Sequence, residues 1–460
     1  MSEPINAERA VTGTPRQVGW FTAACLLVSN IIGGGIFTTT GFLARDVGDP
    51  MVILSLWVIG ALIALAGAMT YSELGAALPQ AGGDYIYLRH AYGPLVGFLS
   101  GWTSFTVGFG AGIAASAVSF SSYLLRAAPF SDEAGFMTKG IALVLLWSLT
   151  AVHAAGVGAG GVLQRVLTTT KVTAIVVLIV GGLALGSGSW ANLTVRASGA
   201  EPGVGPALVG LIFILYTYFG WNVAGYIAGE IADPGRTIPR IMIGGTAFVA
   251  AIYLLLNLVY LYALPVTALA QPPVLPVAEK AAAVLWSPAS ARLVALMLSI
   301  SIAGAVSAMV WAGPRVYWAM ARDGVFAPYF KAVSGTTGAP VRAVLLQSAW
   351  ASILILTGTF EQLVIYSGLV LAAFSALTVG SVIVLRRRRP DLARPFRVPL
   401  YPLTPGLFIV FACVIVGYSL IHRPVESAFG IVTVLAGLPF YWVWRNRNPG
   451  QAGHHAGIAN

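Results

Sequence analysis

The sequence predicts an all-α integral membrane protein with twelve transmembrane helices, of which the first and the sixth are broken. Of the 460 residues, 57% are hydrophobic and 9% are charged, whereas a soluble domain carries about 25% charged residues. The mean hydropathy is +0.83. Because about 20 apolar residues are needed for each crossing of a hydrocarbon core roughly 30 Å thick, the chain has room for many spans and for no sizeable soluble domain.

Twelve apolar runs are long enough to be predicted as spans 1 to 12. They lie at 17–41, 51–77, 93–125, 137–155, 162–186, 206–231, 239–263, 290–321, 341–358, 361–385, 402–421 and 426–445. Residues 1–16 are polar and no small-residue cleavage site follows them, so we expect an N-terminal tail that is not removed. Most Lys and Arg residues fall on one side when both termini are cytoplasmic, which predicts that orientation for a multi-pass protein of the plasma (inner) membrane.

The formal net charge of +10 does not require a nucleic-acid partner. Six arginines follow span 10 and are expected to contact anionic lipid, which makes the lipid bilayer the expected partner. They are Arg386, Arg387, Arg388, Arg389, Arg394 and Arg397. Cys25 and Cys413 both fall in apolar runs, which is typical of packing residues and not of a disulfide framework. No Cys/His spacing indicates a metal site, and we expect no cofactor.

Three consecutive glycines interrupt span 1 in the segment SNIIGGGIF: Gly33, Gly34 and Gly35. A glycine inside a helix costs about 1 kcal/mol relative to alanine. In lipid, backbone groups that a break sets free must find partners inside the protein. The break is therefore either protected by close packing or used to bind a ligand.

Span 6 contains a second interruption at 216–222, YTYFGWN. Two broken helices, each opening a set of five, suggest an inverted repeat with a binding site near the bilayer midplane. We therefore expect a first repeat at 17–190, a second at 206–388, two further helices at 402–446 and a cytoplasmic C-terminal tail at 447–460. The similarity of the halves lies in hydropathy and breaks, not in aligned residues.

Lys171 is the one charge that can be placed well inside a span away from its ends, and Arg315 in span 8 is the other deep candidate. A charge at that depth costs at least about 2.5 to 3.5 kcal/mol and usually marks a pathway or a paired site. The alternative is a lysine whose long side chain extends to the interface. Ser301 belongs to a set of small hydroxyl residues in span 8, which make either helix contacts or an ion site.

A polar and aromatic segment, ALPQAGGDYIYLRHAYG, follows span 2. It is either an amphipathic turn that anchors the chain at the interface or part of a cytoplasmic gate. The gate candidates there are Glu73, Asp84 and Tyr85. At the end of span 6, Glu230 either terminates the helix in a charged loop or pairs with arginines in the same gate.

Five segments resemble, in order, those of the amino acid, polyamine and organocation transporter superfamily, particularly its L-amino-acid transporter branch. They are IIGGGIF, YSELGAALPQAGGDYIYLRHAYG, FGWNVAGYIAGEIADPGRTIPR, GPRVYWAMARDGVFAP and RRRRPDLARPFRVPLYP. The resemblance implies a LeuT-type fold of two inverted five-helix repeats with two extra helices.

The resemblance also implies that the carboxylate of an amino acid binds the backbone N–H groups of Gly33, Gly34 and Gly35. The start of a half-helix presents such donors and the positive end of its dipole to an anion. The substrate's ammonium group would meet backbone carbonyls, and aromatic and polar residues of span 6 would form the pocket or gate. The carbonyls are those of Ile31, Tyr216 and Phe219; the pocket residues are Tyr216, Tyr218, Phe219, Trp221 and Asn222.

In this family a lysine matching Lys171 stands where sodium-coupled relatives hold a sodium ion, close to a hydroxyl such as that of Ser301. The resemblance therefore implies sodium-independent transport. Two departures matter. Phe219 is bulkier than the residue common at its place, which puts large aromatic substrates in doubt, and the loop Arg126 to Lys139 has no cysteine, so no disulfide-linked partner is expected.

The resulting prediction is a secondary-active transporter of L-amino acids, preferably neutral ones because no acidic residue lies deep in a predicted span. It would work by alternating access as an exchanger or with protons. A cationic amino acid or polyamine antiporter is the alternative, since an aromatic face can also hold a cation. A channel or a non-transporting amino acid sensor on the same fold is a third possibility. No hydrolase, P-loop or H-E-x-x-H motif indicates an enzyme.

Overall fold

The computed structural model describes residues 16–127, 135–197, 203–272, 276–335, 337–358 and 360–447. Residues 1–15 and 448–460 of the two predicted tails, and part of the loop 126–139, lie outside the described residues. The described part of the chain is helical, and its one β-type contact is an isolated parallel bridge between Val18 and Ile231. This architecture confirms the all-α class.

Nineteen α-helices follow one another in these ranges. They are α1 (Trp20–Ile31), α2 (Thr39–Asp46), α3 (Pro50–Ala77), α4 (Asp84–Tyr92), α5 (Pro94–Thr103), α6 (Gly110–Ala127), α7 (Phe136–Ala155), α8 (Val157–Leu185), α9 (Val204–Tyr218), α10 (Val223–Tyr226), α11 (Pro234–Ala263), α12 (Val266–Leu269), α13 (Val277–Leu285), α14 (Pro288–Ala312), α15 (Pro314–Arg322), α16 (Val341–Thr357), α17 (Phe360–Arg388), α18 (Leu403–His422) and α19 (Pro424–Arg447).

Ten helical stretches in the described residues are long and apolar enough to cross a membrane, and α1 and α16 are shorter apolar helices. Each predicted span coincides with one of these stretches or with one of the two shorter helices. The helices thus agree with a multi-pass membrane protein. The count of twelve crossings, the domain boundaries and the inverted repeat remain predictions.

Span 3, predicted as one continuous helix, is divided by a π-helical segment, Ser104–Phe109, between α5 and α6. A β-carbon added at Gly110 would lie 2.7 Å from the carbonyl oxygen of Phe105 and equally close to the ring of Trp350, so glycine is needed at this widened turn. The indole N–H of Trp350 donates to the carbonyl oxygen of Thr106 at 3.0 Å. A carbonyl at the widened turn thereby has a partner inside the protein.

The glycine-rich segment 156–161, read from the sequence as a loop, forms the start of α8 instead. Gly156 has φ +141° and makes the turn that ends α7. Gly160 lies against the imidazole of His153, and Gly161 lies against Thr22. The glycines therefore serve close packing at this helix start.

The first break lies at the centre of the helical bundle, because α1 packs against α8, α11 and α14. α3 packs against α9, α11 and α18, which brings the break after α9 towards the same centre. α4 is not a surface turn: Asp84, Tyr85 and Tyr87 are all buried. This burial disagrees with the interpretation of the segment as an interfacial anchor.

Candidate functional site

The triple glycine separates α1 from α2. α1 ends at Ile31, the N–H of Gly33 donates to the carbonyl oxygen of Ile31 at 2.9 Å, and a 3-10 turn occupies Gly35–Phe37. The first N–H groups of such a turn have no partner within it. A β-carbon added at Gly33 would meet no atom within 4 Å, and one at Gly34 would meet only Ile302. The backbone of these two glycines therefore faces open space.

Gly35 has a different reason to be glycine. A β-carbon there would lie 2.7 Å from the hydroxyl oxygen of Thr217, in the last turn of α9. The hydroxyls of Thr217 and Thr39 are 2.9 Å apart. The first break is thus in direct contact with the helix that precedes the second break.

The second break separates α9 from α10 at residues 219–222. Gly220 adopts φ +128°, a conformation that favours glycine. The side-chain amide of Asn30 donates to the carbonyl oxygen of Gly220 at 3.0 Å. A β-carbon at Gly220 would lie 2.8 Å from the same amide nitrogen, so the two breaks are held together by a bond that requires glycine.

Tyr253 of α11 joins the two broken helices from a third side. Its buried hydroxyl lies 2.9 Å from the carbonyl oxygen of Ile31 and 3.3 Å from that of Thr217. These two carbonyls lie at the ends of α1 and α9, where helical acceptors lose their partners. Sequence reasoning missed Tyr253, Thr217 and Asn30. Asn30 and Thr217 carry a signal, since they stand within the interrupted segments SNIIGGGIF and YTYFGWN, whereas Tyr253 carries none.

Lys171 lies inside the protein, with 1% of its surface exposed. Its ammonium group donates to three oxygens of α1 and the residue after it: the carbonyls of Ser29 (3.0 Å) and Ile32 (2.6 Å) and the hydroxyl of Ser29 (3.2 Å). An ammonium has three donors, so these contacts use all of them. The side chain does not extend to the interface.

Ser301 is buried on α14, one turn before Gly304. A β-carbon added at Gly304 would lie 3.5 Å from the Cε atom of Lys171 and 2.6 Å from the hydroxyl of Ser29. The hydroxyl oxygen of Ser301 has no hydrogen-bond partner among the described residues. α14 thus closes the third side of the space that Lys171 occupies between α1 and α8.

The aromatic residues predicted to form the pocket divide into two groups. Tyr218 is buried and packs on Trp57 and Tyr253, with ring centroids 5.7 Å and 5.0 Å apart. Tyr216, Phe219 and Trp221 instead line a cavity of about 240 Å³ between α3, α9, α17 and α18, to which no residue of α1 contributes. The structure therefore places Tyr216, Phe219 and Trp221 on the side of α9 that faces α17 and α18.

The backbone carbonyls predicted to meet a substrate's ammonium group already take part in the break. The carbonyl of Tyr216 accepts a hydrogen bond from the N–H of Phe219 at 3.2 Å. That of Ile31 accepts from Gly33 and Tyr253. Asn222, at the end of the second break, donates to the hydroxyl of Tyr226 at 3.3 Å.

Glu230 forms a buried ion pair with Arg315, with 2.7 Å between the guanidinium nitrogen and the carboxylate oxygen. The indole N–H of Trp311 donates to the second carboxylate oxygen at 3.2 Å. The backbone carbonyl oxygen of Glu230 accepts a hydrogen bond from the N–H of Val18, two residues before α1 begins. Glu230 is therefore paired with an arginine and does not merely terminate a helix.

The other gate candidates lie in three separate contacts. Glu73 pairs with Arg386 at 2.5 Å and accepts a bond from the N–H of Val398 at 2.7 Å. Tyr85 donates to Asp323 at 2.8 Å. Asp84 accepts a bond from the hydroxyl of Tyr226, in α10, at 2.8 Å. Glu73, Tyr85 and Asp84 therefore have different partners and do not form one cluster.

A family model described as amino acid permease matches residues 18–438. The serine/threonine exchanger SteT of Bacillus subtilis is 30% identical over 441 residues, which cover 95% of this chain and 98% of SteT. The mouse large neutral amino acids transporter small subunit 2 is 29% identical over 94% of this chain and 82% of its own length. The mouse b(0,+)-type amino acid transporter 1 is 29% identical over 95% of this chain and 90% of its own.

Proposed function

The chain belongs to the amino acid permease family of the amino acid, polyamine and organocation superfamily, and from this premise we propose that it is a sodium-independent secondary-active transporter of neutral L-amino acids. It exchanges amino acids or takes them up with protons, by alternating access. Support comes from its relatives, which are a serine/threonine exchanger and amino acid transporters. A non-enzymatic function follows from the same proposal.

The observation that carries the proposal is the pair of broken helices joined through Asn30 and Tyr253. The open side of Gly33 and Gly34 supports a carboxylate site on the backbone N–H groups of Gly33, Gly34 and Gly35, at the start of a half-helix. The ammonium group would bind the carbonyls of Ile31, Tyr216 and Phe219. A carbonyl oxygen has two lone pairs, so one that already accepts a bond can accept another.

Lys171 supports independence from sodium. Its ammonium group supplies a positive charge between α1, α8 and α14, bonded to carbonyls at the end of α1 and to a hydroxyl. Such oxygens are also the ligands that hard cations prefer. Under the proposal, Lys171, with Ser301 nearby, substitutes for a sodium ion in holding the first break in place.

Neutral substrates are proposed because the side chains that bond across the breaks are an amide and hydroxyls, namely those of Asn30, Thr217 and Tyr253, and none is a carboxylate. Of the predicted pocket residues, the proposal keeps Tyr218, which packs on Tyr253, and Asn222, at the end of the second break. Tyr216, Phe219 and Trp221 line the cavity beside α17 and α18, so the proposal does not use Phe219 to limit the size of the substrate. A cationic amino acid or polyamine antiporter is the alternative that the experiment below must distinguish.

The remaining proposals concern topology and partners. Twelve spans would form two inverted repeats, 17–190 and 206–388, followed by 402–446, in a plasma (inner) membrane with both termini cytoplasmic. Glu73, Asp84, Tyr85 and Glu230 are proposed as cytoplasmic gate residues. The mouse relative is named a small subunit; here the loop 126–139 has no cysteine, and we propose that no partner is linked by a disulfide.

Counterflow in proteoliposomes tests the function. Purified protein is reconstituted with a panel of unlabelled L-amino acids or putrescine inside, and labelled counterparts are added outside in sodium or choline buffer. We expect saturable accumulation of neutral amino acids that is equal in both buffers. Accumulation of putrescine alone would favour the antiporter, a requirement for sodium would overturn the role of Lys171, and flux without saturation or trans-stimulation would indicate a channel.

A further inference from the structure

The carboxyl group of Asp84 lies in a buried polar cluster beside the second broken helix. The Asp84 cluster is formed by Asp84 and Tyr87 of α4, Tyr71 of α3, Tyr226 of α10, and Ser375 and Thr378 of α17. All six residues are buried, and 7% of Asp84 is exposed. Only one contact in the cluster is a short hydrogen bond, the one from Tyr226 to the Oδ2 atom of Asp84 at 2.8 Å.

Five buried oxygens of this cluster have no hydrogen-bond partner among the described residues. They are the Oδ1 atom of Asp84 and the hydroxyl oxygens of Tyr71, Tyr87, Ser375 and Thr378. A buried polar group without a partner costs about 1 to 3 kcal/mol. Since native interiors contain few such groups, five in one place indicate a site that takes up a small polar species.

No cation neutralises the carboxyl group: none of the ion pairs among the described residues includes Asp84. The titratable groups that face it are three tyrosines, Tyr71 from α3, Tyr87 from α4 itself and Tyr226 from α10, while α17 contributes only hydroxyls. Burial raises the pKa of Asp84 to about 6, and the hydrogen bond from Tyr226, together with the nearby polar groups of Tyr71, Asn222 and Thr378, opposes the rise.

The cluster is mechanically linked to the second break. The N–H of Gly82 donates to the carbonyl oxygen of Tyr226, the last residue of α10, at 3.0 Å. Gly83 has φ +54°, and a β-carbon there would lie 2.4 Å from the Tyr226 ring. The loop before α4 therefore clamps Tyr226 by its backbone, its ring and, through Asp84, its hydroxyl.

We propose that the Asp84 cluster is a proton-binding site and that its occupancy determines how firmly the loop before α4 holds α10. This inference rests on the proposed transport function and assigns a regulatory proton to it. The ionised carboxylate accepts a charge-assisted hydrogen bond from the hydroxyl of Tyr226, which strengthens the clamp on α10. A protonated carboxyl is a weaker acceptor and can instead donate to an unpartnered hydroxyl of α3, α4 or α17, which weakens the clamp and frees α10 to move.

Amino acid exchange should therefore become faster as the pH falls through the range in which Asp84 takes up its proton. We expect the exchange rate of the wild-type protein in proteoliposomes to rise several-fold between about pH 8 and about pH 5, since Asp84 changes from almost wholly ionised to mostly protonated over that interval. Asp84→Asn mimics the neutral form and should exchange at the fast rate at every pH. Asp391→Asn removes an exposed carboxylate of the same charge and should keep the wild-type profile.

A wild-type pH profile in the Asp84→Asn variant would overturn the proposal. If that variant does not exchange at all, infrared difference spectra of the purified proteins decide. Glu279, whose pKa burial raises to about 7, also takes up a proton on acidification. The wild-type spectrum should therefore show one protonated-carboxyl band more than the spectrum of Asp84→Asn; identical carboxyl bands in the two proteins reject the site. The additional band is read without substrate, so it tests the site even if the wild-type protein exchanges no amino acid and the proposed function fails.

Discussion

Glu230 and Asp84 are two buried acids with contrasting partners: Glu230 follows α10 in the chain, and Asp84 contacts α10 through Tyr226. Glu230, 3% exposed, has a guanidinium 2.7 Å away and an indole N–H on its other oxygen. Asp84, 7% exposed, has a tyrosine hydroxyl on one oxygen and, among the described residues, no partner on the other. A cation compensates the carboxylate of Glu230, whereas the strength of the contact made by Asp84 depends on a proton.

The largest effect is expected from removing the cation of Glu230, which leaves this acid without a cation as Asp84 is. Arg315→Gln leaves a buried carboxylate without its cation, which should lower the free energy of unfolding by about 3 to 5 kcal/mol. Thermal unfolding of the purified protein in detergent measures the loss. The double variant Arg315→Gln with Glu230→Gln removes both charges and should recover part of it; a double variant less stable than the single one would show that the ion pair is not the cause.

The next effect is the pH dependence of stability contributed by Asp84. Its pKa of about 6 lies above the ordinary value of 3.8, so the folded protein binds the proton more tightly than the unfolded chain. The contribution is complete below about pH 4 and is lost as the pH rises through about 6, in total roughly 3 kcal/mol. Asp84→Asn should therefore unfold at a higher temperature than the wild type at about pH 8. If the difference in unfolding temperature between the two proteins were the same at about pH 4 as at about pH 8, this prediction would be contradicted.

Lys171 is a buried cation, and its partners are neutral oxygens and not a group of opposite charge. Lys171→Met leaves the carbonyls of Ser29 and Ile32 without this donor, at a cost of about 1 to 3 kcal/mol. Counterflow of a labelled neutral amino acid should fall by about tenfold or more, since a distortion of 1.4 kcal/mol at the first break already corresponds to that factor. Lys331→Met, which removes an exposed lysine between α15 and α16, is the control. If counterflow in Lys171→Met equalled that of the wild type, Lys171 would have no role in transport beyond packing.

The smallest effect is expected from Tyr226→Phe, which removes only the hydroxyl that binds Asp84. We expect a loss of about 0.5 to 1.5 kcal/mol in the free energy of unfolding. Because this hydroxyl favours the ionised carboxyl, the pKa of Asp84 should rise further, which infrared titration can follow. Tyr329→Phe, at an exposed tyrosine, should change neither quantity. A lowered pKa in Tyr226→Phe would show that the hydroxyl does not act on the ionised form.

Most helices and both breaks could be predicted from the sequence, because apolar runs and the segments GGG and YTYFGWN are local signals. The deep position of Lys171 could also be predicted, because it lies in the middle of an apolar run. Its partners could not, since the oxygens of Ser29 and Ile32 lie about 140 positions away in the chain. The π-helical segment in span 3 and the helical start of α8 also escaped, because each depends on a side chain packed from another helix.

The amino-acid sequence by itself determined a helical membrane protein with two interrupted helices and one deep lysine. These properties follow from hydropathy and backbone propensity, which act over one helix at a time. Only the tertiary structure decided that Tyr253 joins the breaks, that Glu230 pairs with Arg315, and that Asp84 pairs with no cation in the part of the chain that the structure describes. The physical reason is that charge compensation depends on which helices meet, and distant packing, not local composition, brings an arginine to one buried acid and only hydroxyls to the other.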